Sequence, residues 1–452
     1  MAEKQYDLVV IGAGSGMTVV QYAAASLGWK CALVEKGPLG GTCLNRGCIP
    51  SKRLLHSADI AETVRQSARF GVKARIDQID FAAIVRNANE YVDRQAAAME
   101  RAMKDQDAVG YYKGEGAFLS PHELRVGDER ITARRFVVAA GCRPLIPTID
   151  GLDEVDFWTS DQALRPPAQP RTMIILGGGY IAVELAHFYG SMGTEVTIVQ
   201  RSPRLLSRED EEIAEVLTEI FADRYRVLTG TEVNRVSQAG DGRKKVTVTS
   251  NGKTFDLEAD TLLVATGLQP NSDILKLENT EMEMDQQGYI KTDQHLATTQ
   301  KDAWALGDII GQAPFKHAAN QEALVLARNL AGGEKFAMDY SAVPRAIFCS
   351  PQIASVGLTE QEARARQLKY EVRKFSFTDT AMGDAMGEDR GFIKYLLLPE
   401  KGRIVGCHII GAQASILIHE VIVAMASGAG VNALLSAIHI HPSLSEVVQW
   451  GL

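Results

Sequence analysis

Two stretches of the chain follow one plan, and together they restrict its fold more than any other feature. Residues 6–37, YDLVVIGAGSGMTVVQYAAASLGWKCALVEKG, and residues 172–202, TMIILGGGYIAVELAHFYGSMGTEVTIVQRS, each run from an apolar segment through a glycine cluster and a helical stretch into a second apolar segment. Gly12 to Glu35 is 23 positions (35 − 12), and Gly177 to Gln200 is again 23 (200 − 177). Apolar runs rich in Val and Ile and bounded by glycine read as buried parallel strands, and a helical stretch between them completes a βαβ unit. Two such units imply an α/β fold with two Rossmann-like nucleotide sites.

The chemistry of such a site explains the residue types. A glycine turn lets the backbone approach a pyrophosphate, and the helix that follows offers free N–H groups and a favourable dipole. Gly12, Gly14 and Gly16 supply the first turn, and Glu35 at the end of the second strand can accept hydrogen bonds from a ribose diol. Met17 stands where a third glycine usually permits close helix packing, so the helix is expected to sit slightly differently. In the second unit Gly177, Gly179 and Ala182 fit the GxGxxA variant. Gln200 replaces the acid there, and Arg201, Arg204 and Arg208 follow. Loss of a carboxylate beside guanidinium groups favours the 2′-phosphate of NADP(H), with NAD(H) left open.

A length of 452 residues suggests about three domains at roughly 150 residues each. Apolar residues at helical spacing (Leu54, Leu55, Ile60, Val64, then Ile84, Val85, Val92, Met99) predict a helical excursion over 51–106. Segments 107–137 and 225–264, with runs such as RRFVVAA and KKVTVTS, predict small antiparallel sheets. APFKHAANQEALVLARNLAG predicts a long helix, and beyond Tyr340 strands followed by helices predict an α+β C-terminal domain. The net charge of −8, with scattered basic residues, argues against nucleic-acid binding. The apolar run of the opening segment is too short for a signal-peptide core or a membrane span, so a cytoplasmic enzyme is expected.

Of six cysteines (31, 43, 48, 142, 349, 407), only Cys43 and Cys48 are close, in GGTCLNRGCIPSK. On an ideal helix their Cα atoms stand near or beyond the upper limit of about 7 Å for a disulfide, so a bond between them requires a distorted turn. Without a second Cys/His pair nearby, zinc lacks its four ligands, and no metal is expected. A thiolate at a helix start and close to a cation, here Lys52, suits reversible dithiol chemistry.

GGTCLNRGCIPSK, the paired glycine fingerprints, VATGLQPN, ALGDI and HIHPSLSE together resemble the pyridine nucleotide-disulfide oxidoreductases of the dihydrolipoamide dehydrogenase and glutathione reductase type, over essentially the whole chain. The resemblance implies an FAD domain over 1–148, an NAD(P) domain over 149–271, a central segment over 272–338 returning to FAD, and an interface domain over 339–452 that forms a homodimer. It implies that Cys43 attacks the substrate disulfide, that Cys48 faces the flavin, and that Lys52 pairs with Glu184 near the flavin. Asp308 would bind the ribityl chain, and Tyr180 would cover the nicotinamide side of the ring. Further cofactor contacts are implied for Lys36, Gly41, Thr42, Ala140, Gly141, Ile181, Gly267, Gly307 and Ala318. His441 and Glu446 match the family's HPxLxE dyad, contributed to the active site of the opposite subunit. An imidazole oriented by a carboxylate is suited to proton transfer in thiol exchange. His439 is left as structural.

The substrate is less legible. IPSK looks more like dihydrolipoamide dehydrogenases, mycothione reductases and mercuric reductases than like glutathione reductases, and Tyr22 replaces the arginine with which the latter bind a substrate carboxylate. The ending EVVQWGL lacks the vicinal cysteines of mercuric reductases. A lipoyl-type dithiol or a low-molecular-weight disulfide of the mycothiol kind remains, with dihydrolipoamide dehydrogenase the nearest type. The intact Cys43, Cys48, His441 and Glu446 argue against a transhydrogenase, an oxidase or a docking scaffold.

Overall fold

A computed structural model describes residues 4–399 and 402–452, and the chain divides into two compact units. The first comprises Met1–Ser51, Val85–Leu145 and Leu268–Tyr340; the second comprises Lys52–Ile84, Ile146–Gly267 and Ser341–Leu452.

The first unit is built on a seven-stranded sheet. Strand Lys4–Ile11 lies between Cys31–Glu35 and Glu129–Val138, parallel to both, and Val109–Lys113 and Ala303–Ala305 extend the parallel part. Leu8, Val9 and Val10 are fully buried, as strands covered on both faces require. Helix Gly16–Leu27 and helix Lys316–Leu330 complete the layers. RRFVVAA is not confined to a small antiparallel sheet. Its strand, Glu129–Val138, pairs antiparallel with Glu123–Val126 through its first half and parallel with Lys4–Ile11 along its length. The cause lies in its composition: the first half alternates buried and open positions, whereas Phe136, Val137 and Val138 are a continuous buried run.

In the second unit Arg226–Leu228, Glu195–Val199, Thr172–Leu176 and Thr261–Val264 form a four-stranded parallel sheet in that order. KKVTVTS is the middle strand of a separate antiparallel sheet, Thr231–Gln238, Lys244–Ser250 and Lys253–Ala259. The chain beyond Tyr340 makes a five-stranded antiparallel sheet with helices Ala414–Ala426, Gly430–Ser436 and Glu446–Trp450.

The excursion resolves into helices Cys48–Gln66 and Phe81–Lys104. Leu54, Leu55, Val85 and Val92 are buried, but Ile60 and Met99 face outward.

Candidate active site

The two glycine turns share one local construction. Gly12 donates its N–H to Val34 at 2.8 Å and Gly177 donates to Val199 at 2.9 Å. Their φ angles are +104° and +109°, which disfavour an L side chain. A Cβ on Gly12 would lie 2.2 Å from the Ala139 carbonyl oxygen, and one on Gly177 would lie 2.3 Å from that of Ala265. Two positions on, Gly14 and Gly179 have nothing within 4 Å of a Cβ, leaving open space beside the backbone.

In the first unit the Glu35 carboxylate is fixed against this turn, accepting from Ala13 N at 2.8 Å and Gly37 N at 2.7 Å. Each oxygen keeps a lone pair for a further donor. Gly16 opens its helix with Val10 Cγ1 only 2.8 Å from a Cβ, so the close helix approach is made at Gly16, while Met17 packs partly buried against the core. Lys36 pairs with Glu115 at 3.5 Å. Asn271 holds the opposite strand end, donating to Ala140 through its side chain at 2.8 Å and to Gly141 through its backbone at 3.0 Å. Gly307 N donates to Glu322 at 2.6 Å. Burial pushes the neighbouring Asp308 carboxyl upward against the opposing charge of Lys316, and Ala318 is buried in the helix that Lys316 opens.

Cys43 lies in helix Gly41–Arg46, half-buried, and exposed Cys48 begins helix Cys48–Gln66. Gly47 breaks the helical path between them at φ −144°, ψ −116°. A Cβ on Gly47 would lie 2.9 Å from the Thr42 carbonyl oxygen and 3.4 Å from Cys43 Cα, so the chain makes a distorted turn between the two thiols. The start of the Cys43 helix packs on the first glycine turn, with Gly14 Cα 2.7 Å from a Cβ on Gly41. Asn45 braces the approach to this segment, donating to the carbonyls of Pro38, Leu39 and Gly41.

In the second unit Lys52 Nζ meets both carboxylate oxygens of buried Glu184 at 2.9 Å and lies 4.4 Å above the Phe348 ring. Phe348 N also donates to Glu184 at 2.9 Å. Tyr180, exposed, and Ile181, half-buried, begin the helix that carries Glu184. Gly267, at φ +140°, follows the last parallel strand. Gln200 closes on the second turn, its Cγ 3.0 Å from a Cβ on Gly178. The arginines after it divide. Arg204 is engaged by Glu215 at 2.8 Å and Glu211 at 2.9 Å, whereas Arg201 and Arg208 are exposed and have no carboxylate partner among the described residues.

His441 Nδ1 donates to Glu446 Oε1 at 2.7 Å, and Ser443 N donates to the other oxygen at 3.0 Å. The Ser443 N–H and the imidazole together hold the buried Glu446 carboxyl below its ordinary range. The imidazole itself is largely exposed, with its Nε2 turned away from the carboxylate-bound edge. His439 is half-buried, with its side chain against Glu420 at 2.9 Å.

Residues 6–323 match the pyridine nucleotide-disulphide oxidoreductase family, and residues 343–452 match its dimerisation domain. The chain belongs to this family. Mycothione reductase of Mycobacterium tuberculosis is 35% identical over 99% of this chain and 98% of its own. Dihydrolipoyl dehydrogenase of Geobacillus stearothermophilus is 34% identical over 98% and 94%. An HOCl-induced flavoprotein disulfide reductase of Escherichia coli, solved as a Cu(II) complex, superimposes with a TM-score of 0.86 at 28% identity over 99% and 98% of the two chains. As a pyridine nucleotide-disulphide oxidoreductase, the protein is an FAD-dependent disulfide oxidoreductase that uses a pyridine nucleotide, and residues 343–452 are its dimerisation domain.

The residues of the first unit fit FAD. The open backbone at Gly14, with Glu35 fixed beside it, suits a pyrophosphate and an adjoining ribose, and the partly buried Asp308 is suited to a polyol chain. Four contributors escaped the sequence reading: Asn45, Asn271, Glu322 and Lys316. They act through backbone carbonyls, a backbone N–H or a distant serine, and no local pattern reports such partners. The available signs were that Asn45 and Asn271 stand inside the quoted stretches GGTCLNRGCIPSK and VATGLQPN, and that Lys316 and Glu322 lie in the long helix already expected there.

Proposed function

We propose that the protein carries electrons between a nicotinamide nucleotide, FAD, the Cys43–Cys48 pair and a dithiol or disulfide substrate. The observation that carries this reading is the pair of features that frame the thiols: Gly41 packs the start of the Cys43 helix on the first glycine turn, and the distorted turn at Gly47 starts the next helix at Cys48. FAD, when bound, supplies the two-electron exchange between the nucleotide and the thiol pair. The thiolate of Cys43 attacks one substrate sulfur; the S–S bond breaks, one thiolate leaves, and a mixed disulfide forms. Cys48 then attacks Cys43 Sγ, releases the second substrate thiolate and closes the Cys43–Cys48 disulfide. His441, contributed by the partner subunit, donates protons to the departing thiolates, and Glu446 fixes its tautomer. Lys52 and Glu184 act as a fixed charge pair beside FAD, and 1–148, 149–271, 272–338 and 339–452 serve as FAD, NAD(P), central and interface segments.

Glu446→Gln keeps the shape of the dyad and removes the charge that stabilises imidazolium. Disulfide turnover is expected to fall by about tenfold to a hundredfold, because the imidazole loses the partner that orients it for proton donation. Steady-state disulfide rates, beside rapid-mixing rates of flavin reduction that should not change, check this.

NADP(H) is the favoured nucleotide, because Gln200 brings no charge to the turn and Arg201 is available to a 2′-phosphate. Arg201→Ala is expected to raise the KM for NADPH by roughly tenfold to a hundredfold, the worth of one or two charge-assisted hydrogen bonds, and to leave NADH almost unaffected. Rapid mixing of the oxidised enzyme with each nucleotide tests this, followed by turnover with lipoamide, glutathione disulfide and mycothiol disulfide. Equal NADPH kinetics in the variant and the parent would refute the assignment.

A preference for NADPH suits reduction of a low-molecular-weight disulfide, the activity named for the mycobacterial relative. Oxidation of a dihydrolipoyl group is the second reading, supported by IPSK and the name of the Geobacillus relative. Fast NADH-linked turnover of dihydrolipoamide would select it.

A further inference from the structure

Lys316 is a half-buried cation of the first unit that the relay described above does not use. It opens helix Lys316–Leu330 without an acidic residue in the first turn, so its charge adds to the positive end of the helix rather than opposing it. It is pinned there: Nζ donates to Ser15 Oγ at 2.9 Å, and Ser15 Oγ donates to Asn320 Oδ1 at 2.9 Å. Ser15 follows Gly14, and Gly14 is the residue on which Gly41, two positions before Cys43, is packed. The anchor therefore fixes the ammonium beside the thiol segment, where its charge is felt by both Cys43 and Cys48 and by Asp308.

We propose that Lys316 is a positioning residue that holds the reduced Cys43–Cys48 pair as thiolate, extending the relay proposed above, on which this inference rests. The ionisation forms no new bond. A thiol S–H gives its proton to solvent, and the resulting sulfur anion is stabilised through space by the ammonium and by the start of helix Cys48–Gln66. Burial pulls Lys316 below the ordinary lysine range, and the thiols and Asp308 oppose that pull, as a cation retained for anions nearby requires. Arg46 ends the helix that carries Cys43. Asp308 also faces Cys142 and Glu322, and Lys52 lies one turn beyond Cys48 on its own helix.

The test is the pH profile of iodoacetamide alkylation of the prereduced holoenzyme, followed separately at Cys43 and Cys48 by peptide mass. In Lys316→Met the profile of at least one thiol is expected to move to higher pH, lowering its alkylation rate near neutrality by about tenfold, the equivalent of one pH unit. Lys316→Arg, which keeps the charge, should restore most of the rate. Ser15→Ala, which removes the anchor and leaves the lysine, should shift the profile the same way by less, and it stands in should Lys316→Met not fold. Unmoved profiles in the variants overturn the proposal, as does Lys316→Arg shifted as far as Lys316→Met. Loss of disulfide turnover in Cys43→Ser together with an unmoved Lys316→Met profile would leave the relay standing and remove only the role of Lys316.

Discussion

Cys43→Ser is expected to lower disulfide turnover by roughly a thousandfold or more while flavin reduction by NADPH continues within about twofold of the parent rate. The asymmetry follows from the division of labour proposed for the site. A serine hydroxyl is not ionised near neutral pH and forms no mixed disulfide, so substrate exchange loses its nucleophile. The second glycine turn, Gln200 and Arg201 lie in the other unit, and the substitution leaves their residues intact. The measurement pairs steady-state reduction of the disulfide panel with anaerobic rapid mixing against NADPH. Surviving disulfide turnover would sink the relay, because Cys48 alone would have no neighbouring thiol to resolve its mixed disulfide, and Cys31, Cys349 and Cys407 are buried. Burial also pushes the half-buried Cys142 thiol up to about 12, an unreactive state near neutrality.

Lys394→Met is expected to destabilise the fold by about 3–5 kcal/mol, the cost of leaving the buried Asp210 carboxylate without its counter-charge. Lys394 Nζ lies 2.8 Å from Asp210, 2.6 Å from Glu360 and 3.4 Å from Glu212, with the Lys394 and Asp210 side chains 2% and 0% exposed. Asp210 also caps helix Glu211–Arg224 by accepting from Glu212 N. Burial pushes the Asp210 carboxyl up, but His408, Lys394 and the Glu360 N–H outweigh it, and the net direction is down. Burial likewise pulls Lys394 down, and its hydrogen bonds to Asp210 and Glu360 reverse the sign. The Asp210 contribution is therefore present above the ordinary aspartate range and is lost as pH falls through its lowered native value. The Lys394 contribution is present below the ordinary lysine range and is lost as pH rises through its raised one. Urea unfolding of the holoenzyme should show the full gap between parent and variant near neutral pH, with the gap narrowing in acid as Asp210 protonates. A gap independent of pH would assign the loss to packing alone. Lys394→Met with Asp210→Asn should recover part of the loss, which a double-substitution cycle measures.

Much of the site was legible because it is written in short range. The common offset of 23 placed Glu35 against the first turn and Gln200 against the second, and in both cases the structure brings the side chain to the glycines. The five-residue step from His441 to Glu446 likewise ends in a 2.7 Å contact. Other parts were beyond local reading. Arg204 looks available in sequence until Glu211 and Glu215 of the following helix reach back to it. RRFVVAA looks like an antiparallel strand until the first strand of the chain pairs with it in parallel.

The sequence by itself determined the two βαβ units, the two glycine turns and the thiol pair, since each depends on residues within a few turns or strands of one another, whereas the His441–Glu446 dyad was read through the family resemblance. Only the tertiary structure decided what surrounds them. Ser15 meets Lys316 across 301 positions, Lys52 meets Glu184 across 132, and Lys394 meets Asp210 across 184. The Lys52–Glu184 pairing entered the sequence reading through a family resemblance rather than through any pattern in the chain. The physical reason is common to all three. A charge placed in a partly or fully buried position needs an opposite charge or a hydrogen-bonding partner, but packing chooses which distant side chain supplies it, and periodicity, spacing and composition carry no record of that choice.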